Sequence, residues 1–528
     1  PLGQPVVDAR VVASDESTAL ARTVATDGRG QFELASLRPG TYSVQVSAPR
    51  FRAFARPGVR LRAAGVAFVD VRLEMGSLRE VVTVTAAPGE ALTRDGAALV
   101  AELEGEALAE LPRISRDVQD FLTLLPAVLG THDDPQVLGG RSYGLSYVQD
   151  GQPSAAPAFG TLSYAAPSLG AVEELRVLSI AAGAEYGGVG TVLVTSRRGT
   201  AERRGGAFYD FGADELNALT YGQKLAGVRR GQPGSDTHEH RFGATLGGPL
   251  RRGRTFFFAA YEGGRHKEVA GGERAVVPSA AMRRGDFSQA SFVVRDPLTG
   301  QPFPGNVIPA HLLDPAALRL TDLFYPLPNQ GLLANGFGIY QQFVPLHRRR
   351  DRADLRLDHE LGPGDSLFAR ASAQSRDPEA FTFEGGPALT QLGTLDQTAR
   401  ALTLAAGWTR AGRGRFANEL RAGYSLDDRH RRSRYRAGEV ADRLGLEIPS
   451  IARGLPGFPM FVFSGANRPA DIVDQRANSL RDLRQSTLSV SDTVTFWTGR
   501  HVLKAGAALS RQGVRDGYSA GATEAKGR

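Results

Sequence analysis

The sequence predicts a mainly β chain: a small amino-terminal β-sandwich, an α+β segment, then the first part, about nine antiparallel strands, of an outer-membrane β-barrel left open. Three observations carry this. Between Ala207 and Leu509, segments of about ten residues alternate apolar and polar side chains, as a wall with lipid on one face and a lumen on the other demands. The connections alternate strictly between short turns and long polar loops. No run of about 18 or more apolar residues occurs, so a membrane-spanning chain of this composition crosses with strands.

Composition narrows the function classes. At 528 residues the chain exceeds one ordinary soluble domain. Cys 0 excludes disulfide frameworks, thiolate-held zinc and thiol catalysis, and Gly 63 with Pro 30 marks a chain rich in turns. The net charge of +7 is carried almost wholly by arginine, in clusters. No helix-turn-helix, finger or RNA-stacking signature accompanies it, so no nucleic acid is expected, and anionic lipid headgroups are the expected counterpart. Residues 1–8 have neither a charged region nor an apolar core, so an export signal is expected upstream of Pro1.

In the first unit, residues 1–76, short strands are expected at 6–13, 19–25, 31–34, 41–47 and 66–73, and five runs at this spacing suggest a sandwich. The stretch "TDGRGQFELASLRPGTYSVQVSAPRF", residues 26–51, resembles the carboxypeptidase regulatory-like domain. Asp27-Gly28 supplies the hairpin turn, Phe32 and Leu34 point into the core, and Pro39-Gly40 turns into the strand of Tyr42, Val44 and Val46. The resemblance implies a non-catalytic domain, here beginning one strand late.

Residues 77–204 follow. An amphipathic helix is expected at 115–129, with Val118, Phe121, Leu122 and Leu125 on one face. After it, "LGGRSYGLSYVQDGQP", "PSLGAVEELRVL" and "AEYGGVGTVLVTSRRGT" resemble, in order, the plug motifs of the Oar-like branch of TonB-dependent receptors. The run Glu80, Val81, Val82, Thr83, Val84, Thr85 then has two readings. It is the TonB box, which adds as a strand to the edge of TonB, or its valines close the sandwich or bridge two domains.

Two chemical patterns are weighed and set aside. Gly140-Arg141-Ser142-Tyr143-Gly144 fits the G-x-S-x-G nucleophile pattern, but "LSYVQDG" behind it reads as a strand and turn where an elbow needs a helix. His238 and His240 share one strand face without an evident third ligand. Neither a P-loop nor a dinucleotide fingerprint occurs, so no catalytic, metal or cofactor residues are expected.

The third unit, residues 205–528, is the partial barrel. Strands are expected at 206–216, 241–250, 255–263, 353–361, 366–374, 399–409, 415–426, 487–498 and 501–510. Short turns fall at 251–254, 362–365, 410–414 and 499–500, and long connections at 217–240, 264–352, 375–398 and 427–486. A plug enters from the periplasm, so the first strand runs outward and every long loop is extracellular. Leu367, Ala369, Ala371 and Ala373 are expected to face lipid, with Phe368, Arg370, Ser372 and Gln374 facing the lumen; Leu402, Leu404, Ala406 and Trp408 share one face. Trp408, Phe416 and Trp497, with Phe256 to Phe258 nearby, lie beside short turns and suggest a periplasmic aromatic girdle. "TFFFAAYEG", "RADLRLDHELGPGDSLFARAS" and "DTVTFWTGRHVLKAGAAL" resemble barrel motifs of the same receptors.

Two arginine clusters sit at the outer strand ends: Arg348, Arg349 and Arg350, and Arg429, Arg431, Arg432, Arg434 and Arg436. They are expected either to be solvated or to contact lipopolysaccharide phosphates. The resemblance implies a bacterial outer-membrane receptor, with the first domain and plug on the periplasmic side. Such a receptor takes an unknown extracellular substrate and moves its plug when TonB and its inner-membrane partners pull. The loop 264–352, holding "DPLTGQPFPGNVIP", is a candidate substrate lid. The alternative is a passive surface or adhesion protein on the same scaffold. Nine strands is an odd count where bacterial single-chain barrels are even, and about 22 close this receptor class, so an open, curved sheet is expected.

Overall fold

The structure is a computed structural model. It describes all residues except 1–2, 35–36, 64, 77–80, 84–99, 112–115, 131–134, 142–143, 159–165, 180–182, 187–189, 220, 226–236, 381–394, 413–415, 434–435, 455–460, 465–466, 473–480, 499–500 and 519–528. Glu80, Val84, Thr85, Ser142 and Arg434 therefore lie outside the described residues.

The first unit is built on one sheet of β1 (Arg10–Asp15), β2 (Ala21–Ala25), β3 (Gly40–Ser47), β4 (Ala53–Leu61) and β5 (Val81–Thr83), in the order β2-β1-β3-β4-β5. Val11, Ala13, Tyr42, Val44, Val46 and Phe54 form its core. Burial pushes the Tyr42 phenol up to about 12, so it stays a donor, to the Arg38 carbonyl at 2.8 Å. Two expected strands are absent: residues 31–34 and 66–73 form no strand, and only Ala67 makes an isolated bridge. Phe32, Leu34, Ala67, Val69, Val71 and Leu73 still pack onto the core. Alternation records a core on one side of a segment, and that does not require a neighbouring strand. Conversely β4 is not among the expected strands. In the structure Tyr42 pairs with Val59 and Val44 with Arg56, so Pro57 and Gly58 occupy a bulge that skips the ladder.

The second unit holds β6 (Val100–Glu104), α1 (Gly105–Glu110), the hairpin β7 (Val128–Gly130) and β8 (Pro135–Val137), β9 (Leu145–Gln149), β10 (Gln152–Pro153), β11 (Val172–Leu178) and β12 (Gly190–Ser196). Its mixed sheet runs β10-β9-β12-β11-β6, with β9 and β12 parallel. The expected helix at 115–129 is a shorter 3₁₀ helix, Val118–Leu124. Pro126 forces Leu125 into an extended conformation (ψ 141°), which ends the helix early. The apolar face is as read: Val118, Phe121, Leu122 and Leu125 are buried in one cluster with Leu108, Tyr147, Val177 and Val192.

The third unit is a single nine-stranded antiparallel sheet in sequence order: β13 (Arg204–Ala213), β14 (His238–Arg251), β15 (Thr255–Val277), β16 (Gly338–Gly362), β17 (Asp365–Ala380), β18 (Leu395–Gly412), β19 (Phe416–Ser433), β20 (Arg481–Thr498) and β21 (His501–Tyr518). β13 and β21 are its edges, so the wall is open. The face assignment holds: Leu367, Leu404, Leu420, Leu488 and Val490 are exposed outward, while Arg370, Ser372 and Gln374 are buried inward. The strands run past the expected ends. β15 and β16, 23 and 25 residues long, pair out to Val277 and Gly338, which shortens the loop read as 264–352. Ladder bonds need no apolar side chains, so pairing continues beyond the roughly ten residues that span lipid. At the other margin, residues 214–216 leave β13 as a 3₁₀ turn.

Outside the wall, the two long connections build a shared core. A short α2 (Tyr221–Leu225) follows β13, and α3 (Pro315–Phe324) and α4 (Ala437–Leu444) belong to the loops after β15 and β19. Phe324 and Tyr325 from one loop pack with Val440, Leu444 and Ile472 from the other. Arg319 donates to the Leu444 carbonyl at 2.9 Å, and the Tyr325 hydroxyl donates to the Ala470 carbonyl.

Candidate functional site: a charged seam inside the wall

In β16 the period of two places Arg348, Arg350, Arg352, Asp354, Arg356, Asp358 and Glu360 on the luminal face. Leu355 and Leu357 on the alternate positions are exposed outward. The second unit sits against this inner face, and the six inward groups from Arg350 to Glu360 meet partners from the first or second unit.

From the outer end, Arg350 grips both Asp117 oxygens at 2.9 Å each, and Arg352 also bonds Asp117. Asp354 accepts from the Ser168 amide and hydroxyl at 3.0 and 2.6 Å. Arg356 reaches Asp150 at 3.0 Å and the Ser196 hydroxyl at 2.8 Å, and holds Asp358 through two bonds of 2.9 and 3.1 Å. Asp358 and Glu360 finally receive Arg38 of the first unit at 3.2 and 3.1 Å. One strand thus touches all three units.

Asp150 is the centre of the seam. It lies in the Asp150-Gly151 turn with φ 48°, a left-handed conformation that Asp and Asn tolerate better than other side chains. Its carboxylate accepts from the Ser196 amide at 3.0 Å and serves Arg356 and, at 2.9 Å, Arg370 of β17. Asp150, Arg356 and Arg370 are each at most 8% exposed at the side chain, so these charges are stable only in each other's company.

The opposite side of the wall meets the second unit through neutral groups and one ion pair, Lys504 of β21 with Glu185 at 2.6 Å. Ser489 donates to Gln152 at 2.6 Å, and the Ala158 amide donates to Gln485 at 2.7 Å. Closer to the first unit, Glu174 accepts from the Ala63 amide at 3.1 Å, and the fully buried Arg176 bonds the Ala63 carbonyl. Burial raises the Glu174 carboxyl above its ordinary value, against the pull of Arg176.

The residues singled out in the sequence fall as follows. Val81, Val82 and Thr83 pair parallel with Ala53, Phe54 and Ala55, as the edge strand of the first sheet. Arg350 belongs to the seam, whereas Arg349 is exposed on the outer face and bonds Asp351 at 2.7 Å. Arg348 lies opposite His266, Arg429 follows the buried Asp427 by one inward step, and Arg436 is exposed at the start of α4. Arg431 and Arg432 are in β19, but their side chains are not among those described. Trp408 stands between the exposed Leu367 and Leu420, and Phe416 meets Phe496 at 5.3 Å between ring centres. Trp497, with no described side chain, is in β20 opposite Val502. Phe256 and Phe258 do not join a girdle: they are buried inward, Phe258 beside Ala171, because a strand offers only alternate positions to lipid.

His238 and His240 join an aromatic cluster. The His240 ring lies tilted against Phe211 at 5.1 Å between centres and bonds the Tyr209 hydroxyl at 2.7 Å. Among the described residues no group of three is placed to hold a metal. Sequence reading missed the seam itself, although its signal, a charge at every second position from Arg348 to Glu360, was present.

A family model described as outer membrane beta barrel domain matches residues 195–527. The chain belongs to that family. A second model, carboxypeptidase regulatory-like domain, matches residues 1–74 of this outer-membrane barrel protein. It is 27% identical over 273 residues to the TonB-dependent transporter Oar of Myxococcus xanthus, which covers 49% of this chain and 25% of Oar. The chain thus spans about a quarter of that curated relative's length. Among solved structures, a mutant of the ferric enterobactin receptor PfeA of Pseudomonas aeruginosa superposes with TM-score 0.43 at 13% identity, over 79% of this chain and 49% of that one. The outer membrane transporter YddB of Escherichia coli gives 0.46 at 10%, over 78% and 47%. The relatives carry transporter and receptor names, and the membrane is the bacterial outer membrane.

Proposed function

We propose that this outer-membrane protein is a TonB-dependent receptor whose residues 77–204 form the plug. The β16 seam locks that plug, and energised movement of it admits a substrate bound from outside. The observation that supports this most is the single strand whose inward charges engage Asp117, Ser168 and Asp150 of the second unit and Arg38 of the first. Buried ion pairs specify one docked arrangement but are costly once a partner is withdrawn, which suits an element that must hold and then release under load. No bond is made or broken on the substrate; the work is binding and gating.

In this reading residues 1–76 lie on the periplasmic side, Glu80 to Thr85 is the segment TonB pairs with, and exposed Arg349 and Arg436 meet lipopolysaccharide phosphates. A peptide of residues 78–88 is expected to bind the carboxy-terminal domain of TonB, and Val82→Pro to abolish it. Failure of the unmodified peptide to bind would favour the passive surface protein.

A further inference from the structure

The second unit meets the wall in two chemically different halves. Toward β15, β16 and β17 the contacts are ionic: Arg116 with Glu262 at 3.2 Å, Asp117 with Arg350 and Arg352, and Asp150 with Arg356 and Arg370. Ala171 packs there with Phe258 and Ala260. Beyond the Asp150-Gly151 turn the contacts become neutral. Gln152 meets Ser489 and Ser491 of β20 at 2.6 and 3.4 Å, and the Ala158 amide donates to Gln485. The ion pair on this side, Lys504 with Glu185, has side chains 47% and 36% exposed, and pairs so exposed contribute little.

One row of the wall crosses both halves. Asp354, Ser372, Thr403, Ser425 and Thr487 are directly opposed from β16 to β20, and all five are buried on the inner face. At the charged end Asp354 takes the Ser168 amide and hydroxyl. At the neutral end the Thr487 hydroxyl, the Gln485 amide nitrogen and, on the second unit, the Ser154 hydroxyl are buried without a hydrogen-bond partner among the described residues. Such groups regain water when an interface opens, so parting there costs little. Parting at the seam instead strands buried charges.

We propose that the second unit is hinged on the β16–β17 seam and parts from the wall first along β19 and β20, at residues 152–158, so that a passage opens on that side while the seam stays closed. Asp150 is the fixed end of this motion, held by two strands of the wall at once. Gln152, two residues on, is the first group to let go. The inference rests on the plug reading only in calling the opening a passage.

Thiol labelling tests it, because the chain has Cys 0 and an introduced cysteine is its single thiol. Ser372→Cys and Ser425→Cys are near-isosteric changes in the same row, one in each half. With a polar maleimide and the purified full chain in detergent, Ser425→Cys is expected to label about a hundredfold faster than Ser372→Cys. Adding Asp150→Asn should speed Ser372→Cys about a hundredfold and Ser425→Cys about twofold at most, since the opening at β19 and β20 leaves Asp150 in place. Ser372 accepts from Arg370 at 3.1 Å, so Ala171→Cys, which removes no polar group, serves as a second slow probe should Ser372→Cys loosen the seam. Equal labelling of Ser425→Cys and Ala171→Cys, or equal acceleration of Ser372→Cys and Ser425→Cys by Asp150→Asn, would mean that the second unit leaves as one rigid piece, and would overturn the proposal. Labelling needs neither TonB nor substrate, so a 78–88 peptide that failed to bind TonB would leave this result standing.

Discussion

Replacing Asp150 by asparagine tests the seam most directly. Asparagine has the same shape, keeps one acceptor oxygen for the Ser196 amide and tolerates the left-handed backbone at φ 48°, so the turn survives. What is lost is the single charge that serves both Arg356 and Arg370 at 3.0 and 2.9 Å. Withdrawing one partner from a buried ionic cluster costs about 3–5 kcal/mol. Arg356 keeps Asp358, so the lower end, about 3 kcal/mol, is expected here. That corresponds to roughly a hundredfold rise in the undocked fraction of the second unit. Hydrogen exchange of the β9 and β12 amides in the membrane-embedded protein reads it, since those strands form the core that opens. Adding Arg370→Gln to Asp150→Asn is expected to recover part of the loss by removing the orphaned cation. Exchange rates in Asp150→Asn equal to those of the parent chain would refute the view that charge holds the plug.

Three further outcomes are expected. The Glu174 carboxyl is raised by burial, so the folded state holds its proton more tightly than the unfolded one; its contribution is fully present below the unfolded value and is lost as pH rises through the folded one. Glu174→Gln should therefore raise the melting temperature at neutral pH, with the gain vanishing below about pH 4; a gain that grew on acidification would contradict the sign. Leu404→Arg, on the lipid face of β18, should cost about 2–4 kcal/mol in a lipid-bilayer folding titration, whereas arginine is native one strand away on the luminal face at position 370. Leu444→Ala, in the core shared by the two outer loops, should cost about 2–5 kcal/mol of loop stability, seen as faster proteolysis of both loops together; cleavage of one loop alone would argue against a common core.

The wall was legible because a strand repeats every second residue, and lipid on one face writes that period into Leu367, Ala369, Ala371 and Ala373. The same rule concealed the seam. Arg348 to Arg350 read as a cluster when neighbours were counted along the chain, but alternate positions point to opposite faces, so Arg350 joins Asp117 and Arg349 stays outside. Partners such as Asp150 with Arg356, or Ser168 with Asp354, lie on different units and become neighbours only on docking, which no local pattern encodes. β4 carries Pro57 at a bulge, where its missing donor is not needed by the ladder, and the 118–124 segment showed its apolar face but not its tighter winding.

In the proposed orientation, the core shared by these two loops bears on how the cell surface is recognised. Residues from the β15–β16 and β19–β20 connections form one composite surface, pinned by Tyr325 to Ala470 and Arg319 to Leu444. An antibody or phage that binds it reads a discontinuous epitope, present on the native molecule and lost on boiling. Peptides copied from either loop alone would make poor immunogens. Escape by insertion is also constrained, because lengthening one loop displaces the other, and successful variants must change in both.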